Sequence, residues 1–142
     1  MKRILKTILA PGGYGAGLLL LRVAAGGMMA THGWAKLTGF NELSQTFMDP
    51  VGLGPELSLA LIIFAEFFCS LAVIAGLLTR LAAIPLIIGM TVAAFVAHAP
   101  VTLSGSELPL LYLVIFIVIL IAGAGRYSAD AAIHKRFLSQ AQ

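Results

Sequence analysis

The chain has 142 residues, of which 60% are apolar and only 11% are charged, against roughly 25% charged in soluble domains. So few charges cannot cover the surface of a soluble protein of this size, and the apolar content excludes a disordered chain. The single cysteine, Cys69, excludes a disulfide scaffold. These observations leave an all-α integral membrane protein, which we expect to form a single membrane domain over 1–142.

Four apolar stretches are long enough to cross a hydrocarbon core of about 30 Å as helices. They predict an antiparallel four-helix transmembrane bundle with spans at 15–37, 55–78, 81–97 and 108–124. A short amphipathic helix is predicted over 128–138, where Ser128 can cap its first turn and Asp130 lies near its positive end. The apolar side of this helix places it on the membrane surface.

The charges outside the spans predict the orientation of the chain. Most basic residues fall on one side of the membrane: Lys2, Arg3, Lys6, Arg80, Arg126, Lys135 and Arg136. The loops on the other side, 38–54 and 98–107, carry Glu42, Asp49 and Glu107. We therefore expect both termini in the cytoplasm, in a multi-pass protein of the bacterial inner membrane. The net charge of +3 is assigned to cytoplasmic flanks beside anionic lipid, with no nucleic-acid partner.

Three ionisable residues lie inside the spans, and such residues are functional candidates because burying a charge in a membrane is costly. At 1.5 Å per residue, Arg22, His32 and Glu66 lie about 10, 25 and 18 Å from the inner face. These depths predict an Arg22–Glu66 pair. They also predict a polar ligand-binding pocket in the outer half of the bundle. Its expected side chains are His32, Lys36, Glu66 and His98, with Glu107 as a further candidate.

Structural explanations of the same residues stay open. An Arg–Glu pair can serve only to fix helix register, His32 can hydrogen-bond a backbone carbonyl, and His98 can simply be solvated. Cys69 is a small packing residue on this view. The sequence has no metal-ligand spacing and no evident flavin, haem or iron–sulfur site.

Motifs through nearly the whole chain, taken together, resemble those of the DoxX family of small four-helix bacterial membrane proteins. The matching pieces are Leu21-Arg22, His32-Gly33-Trp34-x-Lys36-Leu37, Glu66, Gly76-Leu77-Leu78-Thr79-Arg80, His98 and Gly123-x-Gly125-x-x-Ser128-x-Asp130. The resemblance implies redox work at the membrane. The related DoxD proteins are taken to be membrane subunits of a thiosulfate:quinone oxidoreductase, and DoxX proteins are linked to complexes that handle thiols and oxidative stress with soluble partners.

Two classes of function follow. The first is a membrane subunit of a quinone- or thiol-linked redox complex, which holds no complete redox centre and binds a lipophilic ligand such as a quinone in the outer pocket. His32 and Lys36 would donate hydrogen bonds to it, Glu66 would carry protons, and electrons would come from a small donor or a soluble partner protein. The second is a non-enzymatic scaffold or assembly factor; a small transporter ranks last because one protomer is too small for it. Whether the chain forms a homo-oligomer stays open.

Overall fold

The computed structural model of the protein describes residues 14–97 and 102–140, and every regular element in these two ranges is a helix. Within these ranges, four helices are long and apolar enough to cross a membrane, and two shorter ones accompany them. In chain order they are α1 (Tyr14–Thr38), α2 (Phe40–Leu43), α3 (Pro55–Ala75), α4 (Thr79–Ala97), α5 (Leu103–Ala122) and α6 (Ala129–Gln140). The predicted all-α fold with four spans and a C-terminal helix is confirmed.

The four long helices pack as a ring in which each contacts its neighbours along the chain and α5 closes against α1. Their shared core consists of buried apolar side chains from all four spans: Ala25, Met29, Cys69, Val73, Ala82, Leu86, Met90, Tyr112, Phe116 and Ile119. Large apolar side chains on the outside of the ring, such as Leu20, Phe68 and Ile121, are exposed. This arrangement suits a bundle whose outer surface faces lipid.

Glycines on α1 set how closely it packs on α3, because a helix without a Cβ at the contact can approach a neighbouring backbone. A Cβ atom at Gly26 would lie 3.1 Å from the carbonyl oxygen of Ser70. At Gly33 it would lie 2.5 Å from the backbone nitrogen of Phe67. The side chains of α1 and α3 near these glycines are therefore brought within direct reach of each other.

The turn between α3 and α4 is tight because Gly76 adopts a left-handed conformation, with φ of 70°. The N–H groups of Gly76 and Leu77 donate to the carbonyls of Val73 and Ala72, which is the Schellman arrangement that ends helices. The predicted span to residue 78 therefore stops at Ala75. Leu78, which follows, is also left-handed, with φ of 47°.

The fourth span differs most from its predicted bounds of 108–124. Thr102 accepts a hydrogen bond from the Gly105 N–H at 3.2 Å and so starts α5 at Leu103, within a polar segment that we expected to be loop. The helix ends at Ala122 because Gly123 has φ of 78°. Further along, Ser128 accepts a hydrogen bond from the Ala131 N–H at 3.1 Å, which confirms its predicted role as the cap of α6.

Because neighbouring spans run in opposite directions, the two ends of the bundle carry different connections. We call one the Arg22 end; it holds the start of α1, the turn 76–78 and the connection 123–128. We call the other the Lys36 end; it holds the end of α1 and the segment 39–54, which includes α2. The candidate site lies toward the Lys36 end.

Candidate functional site

An ion pair joins α1 to α3 in the half of the bundle toward the Lys36 end. The Lys36 ammonium (Nζ) donates to the Glu66 carboxylate (Oε2) at 2.5 Å. The Glu66 side chain is almost fully buried at 6% exposure, whereas 26% of the Lys36 side chain is exposed. Side chains on a helix lean toward its N-terminus, which lets Lys36 reach back along α1 toward the level of Glu66. The carboxylate of the pair is thus almost inaccessible, whereas its ammonium belongs to a partly exposed side chain.

Glu66 lies on an irregular stretch of α3, where the backbone is π-helical over Phe64–Cys69. A second π-helical stretch, Ala93–Ala97, ends α4 in the same half of the bundle. Such wide turns are rare and are found frequently at functional sites. Neither stretch was predicted, because nothing in the apolar periodicity of the spans distinguishes a π-helical turn from an α-helical one.

The predicted Arg22–Glu66 pair is wrong. Glu66 lies level with Gly33, whose Cβ position would be 2.7 Å from the Glu66 carbonyl carbon. Arg22 lies eleven residues earlier on α1, about 16 Å away along the helix axis, which is farther than its side chain extends. The depth estimate failed because it counted each helix from an assumed edge, whereas the packing of the glycines sets the actual register.

Arg22 instead belongs to a network at the Arg22 end. Its side chain is fully buried, and its Nη2 donates to the backbone carbonyl of Tyr127 at 2.6 Å. A Cβ at Gly76 would collide with its Nη1, so the guanidinium occupies the space that a side chain at position 76 would need. The network therefore ties α1 to the turn 76–78 and to the connection that precedes α6.

Asp130 completes this network by capping α4. Its Oδ1 accepts from the Leu78 N–H at 2.7 Å and its Oδ2 from the Thr79 N–H at 3.0 Å, while its own N–H donates to the Gly76 carbonyl at 2.9 Å. Desolvation acts to raise the pKa of this carboxyl, but the N–H groups of Thr79 and Leu78 and the charge of Arg22 outweigh it and lower the pKa below its ordinary value. Sequence reasoning placed Asp130 at the start of α6 and missed that it also caps α4.

Arg80 lies at the same end and contacts α5. Its Nη2 donates to the Ile121 carbonyl at 3.3 Å, and its guanidinium lies against Gly123, 3.3 Å from the position of a Cβ there. A cation at a helix C-terminus is favourable because the last carbonyls lack intrahelical partners. Arg22, Ser128, Asp130 and Arg80 thus meet at one end of the bundle, where they join four chain segments.

The structure brings together only part of the predicted ligand pocket. His32 is exposed on α1 and its ring lies edge-on to that of Tyr112, at 6.4 Å between centroids. It therefore faces the α1–α5 side, whereas Lys36, one turn later, faces α3. Glu107 is exposed at the start of α5, and His98 lies outside the described residues. Tyr112, buried and stacked on Phe116 at 6.0 Å, joins this group and was not among the predicted site residues.

Two cavities formed by described residues lie away from this group. One, of about 500 Å³, is at the Lys36 end and is lined by residues such as Phe40, Ser44 and Glu56. The other, of about 610 Å³, is at the Arg22 end beside Arg80 and Asp130. Neither is lined by His32, Lys36 or Glu66. Neither of these two cavities therefore adjoins the Lys36–Glu66 pair.

Four packed spans with a part-buried ion pair in one half of the bundle and a buried arginine network at the other end define a small multi-pass membrane protein. The family model of DoxX matches residues 17–99, and the chain belongs to the DoxX family. The resemblance found from the sequence motifs is confirmed.

Two curated relatives match over most of their length. The inner membrane protein YqjF of Escherichia coli (strain K12) is 32% identical over 135 residues, which cover 85% of this chain and 95% of the relative. An uncharacterized protein of Haemophilus influenzae is 32% identical over 131 residues, which cover 87% of each chain. No solved structure matches the chain.

Proposed function

We propose that this protein is an inner-membrane subunit of a redox complex and that it binds a lipophilic ligand of the quinone class beside the Lys36–Glu66 pair. The observation that carries the proposal is the ion pair itself, with Glu66 at 6% exposure and Lys36 at 26%. An intramembrane ion pair with one open partner has a donor ready for a ligand oxygen. A pair kept only for packing has no need to be open.

The chemistry of the group suits a quinone headgroup. The Lys36 ammonium has three donors and, among the described residues, uses one on Glu66, so further N–H groups can reach a carbonyl oxygen of the ligand. His32 lies one turn away on the same helix and is exposed, so it can address the same headgroup from the α1–α5 side. Reduction of a quinone to a quinol takes up two electrons and two protons. Glu66 and Lys36 would transfer protons to the reduced quinone, and the electrons would come from a small donor or a soluble redox partner.

A second function is favoured by a specific observation. The Glu66 carboxylate already has a partner at 2.5 Å, and Gly33 packs directly on the backbone beside it. Both features would serve a scaffold or assembly factor, in which the pair only fastens α1 to α3 and fixes their register. The two functions differ in whether the ammonium of Lys36 ever meets a ligand.

Purification in mild detergent, followed by lipid extraction, separates these functions. We expect the wild-type protein to carry a quinone and to gain thermal stability when a short-chain quinone is added. The His32→Ala, Lys36→Met and Glu66→Gln variants should insert and keep their helical content but lose both effects. Glu56→Gln is the matched control, since Glu56 is an exposed carboxylate at the start of the same helix. A wild-type protein without bound quinone and without stabilisation by added quinone would support the scaffold.

The location is part of the proposal. The relative YqjF is named an inner membrane protein, and the basic residues cluster at the Arg22 end, where Arg80 and Arg126 lie near the turns. We therefore place the Arg22 end in the cytoplasm, with both termini. In a Cys69→Ser background, a cysteine introduced at position 46 should react with an impermeant thiol reagent in intact cells, and one at position 140 should not. The reverse labelling pattern would contradict this orientation.

A further inference from the structure

The cavity at the Arg22 end has a volume of about 610 Å³ and lies between the beginning of α4, the end of α5 and the first turns of α6, with both apolar and polar residues in its lining. The polar side chains that line it come from three different segments: Thr79, Arg80, Ser128, Asp130 and His134. It contains no part of the Lys36–Glu66 group. The polar residues that line this cavity therefore need an explanation of their own.

Arg80 gives the cavity an available cation. The side chain is exposed, and among the described residues its guanidinium makes one hydrogen bond, to the Ile121 carbonyl at 3.3 Å. A guanidinium has five N–H donors in a planar fork that matches the oxygens of a phosphate. Most of that fork faces no protein acceptor in the described part of the chain. His134, on α6, also lines the cavity.

Asp130 also lines the cavity, and a carboxylate would repel an anion unless its charge is compensated. Here both carboxylate oxygens accept backbone N–H groups, from Leu78 and Thr79. Asp130 also interacts electrostatically with the buried Arg22 behind it. Arg22 and Arg80 against Asp130 leave a net charge of about +1 around the cavity before His134 is counted. The field inside the cavity therefore favours an anion.

The cavity lies at one end of the bundle, where the hydrocarbon region of a bilayer would give way to its polar part. Two membrane-spanning helices border it at their ends, α4 at Thr79 and α5 at Ala122. The adjoining helix α6 carries exposed Lys135 beside exposed Ile133 and Phe137, a composition typical of helices that lie on a membrane surface. Basic pockets between spans at this depth are suited to lipid head groups.

We propose that this cavity is a binding site for a phosphate group, that of an anionic phospholipid, with Arg80 as the main ligand and His134 as the second. Arg80 and α6 then contact the head group of the lipid, and its acyl chains lie along α4 and α5. The site does not depend on the function proposed for Lys36 and Glu66, since the two lie at opposite ends of the bundle.

Native mass spectrometry of the full chain, delipidated in neutral detergent, tests the site with phosphatidylglycerol and with zwitterionic phosphatidylcholine. We expect tighter binding of phosphatidylglycerol, weakened about tenfold by Arg80→Gln, because a charge-assisted hydrogen bond is lost. His134→Asn should weaken it less, and it offers a test on an exposed residue if Arg80→Gln unfolds. Arg126→Gln is the matched control: Arg126 is a cation at the same end that stacks on Tyr127 at 4.5 Å and does not line the cavity.

The outcomes separate the sources of phosphate. Phosphatidylglycerol binding that depends on Arg80 and not on Arg126 supports the site as proposed. Stabilisation by millimolar inorganic phosphate with the same dependence, without phosphatidylglycerol binding, would keep the phosphate site and overturn its assignment to a lipid. Equal losses in the Arg80 and Arg126 variants, or no preference for the anionic lipid, would overturn the site.

Discussion

The two ends of the bundle differ in the groups that compensate a buried charge. At the Arg22 end, the guanidinium is fully buried and donates to a backbone carbonyl, and Asp130 accepts from two backbone N–H groups. At the Lys36 end, the ion pair joins two side chains, and a quarter of Lys36 is exposed. Partners that are backbone groups fix the course of the chain, whereas a half-open pair of side chains can exchange partners. The first arrangement therefore fixes the chain, and the second leaves the Lys36 ammonium partly exposed.

The largest expected effect concerns the turn at the Arg22 end. Gly76→Ala must place a Cβ in a left-handed residue, at a cost of about 1–2 kcal/mol, and must also displace the Arg22 guanidinium, which adds about 1–3 kcal/mol of overpacking. The matched control is Gly52→Ala, at φ of 75° with nothing within 4 Å of its Cβ. Thermal unfolding in detergent should show a much larger loss for Gly76→Ala. Equal losses would mean that Arg22 can move at little cost and that the network is loose.

The second effect concerns the Lys36 end. Gly33→Ala would place a Cβ 2.5 Å from the Phe67 backbone nitrogen, so α1 and α3 must separate, at a cost of about 1–3 kcal/mol. Gly27→Ala, on the same helix with nothing within 4 Å, should be neutral or slightly stabilising because alanine favours the helix. The separation should also weaken the binding of any ligand beside the Lys36–Glu66 pair. Equal stability of the two variants would show that this contact is not tight.

The smallest effect is a dependence on pH. The N–H groups of Thr79 and Leu78 and the charge of Arg22 lower the pKa of Asp130. The contribution of Asp130 to stability is therefore fully present above its unfolded pKa of about 3.9, and it is lost as the pH falls through its folded pKa. The wild-type melting temperature should therefore fall in acid. Asp130→Asn should start lower at neutral pH and fall less steeply.

Asp49 provides the comparison for this acid profile. The Gly54 N–H lowers the pKa of Asp49, with help from the Ser58 hydroxyl and the Leu53 N–H, so Asp49 contributes in the same direction. A slope that survives in Asp130→Asn should become smaller when Asp49→Asn is added. An Asp130→Asn profile as steep as that of the wild type would contradict the role given to Asp130.

The sequence predicted the elements of this fold better than the contacts between them. Apolar length and turn residues located all four spans, and Ser128 marked the cap of α6. The pairing partners of Arg22 and Glu66 depended instead on the vertical register of α1 against α3, which close packing at Gly26 and Gly33 determines. The sequence of a span does not indicate how deep each of its residues lies in the membrane. An error of a few residues at each predicted edge was therefore enough to suggest the wrong pair.

Other features had no local signal at all. Asp130 caps a helix 51 residues earlier in the chain, a contact that only the tertiary fold creates. The left-handed Leu78 is a leucine, a residue type that does not favour this conformation, and it follows from the turn that Gly76 begins. Tyr112 lies on an inward-facing stripe of α5 that the helical spacing does indicate, but its contact with His32 comes from the packing of α5 against α1.

The most direct test of the difference between the two ends measures the quinone-induced change in melting temperature. It compares the wild-type protein, Glu66→Gln and Asp130→Asn under identical conditions. We predict that Glu66→Gln melts near the wild-type temperature but gains nothing from added quinone. Asp130→Asn should melt at a lower temperature yet keep the full quinone-induced gain. Retention of the gain by Glu66→Gln, or its loss in a folded Asp130→Asn protein, would contradict a binding role at the Lys36 end and a structural role at the Arg22 end.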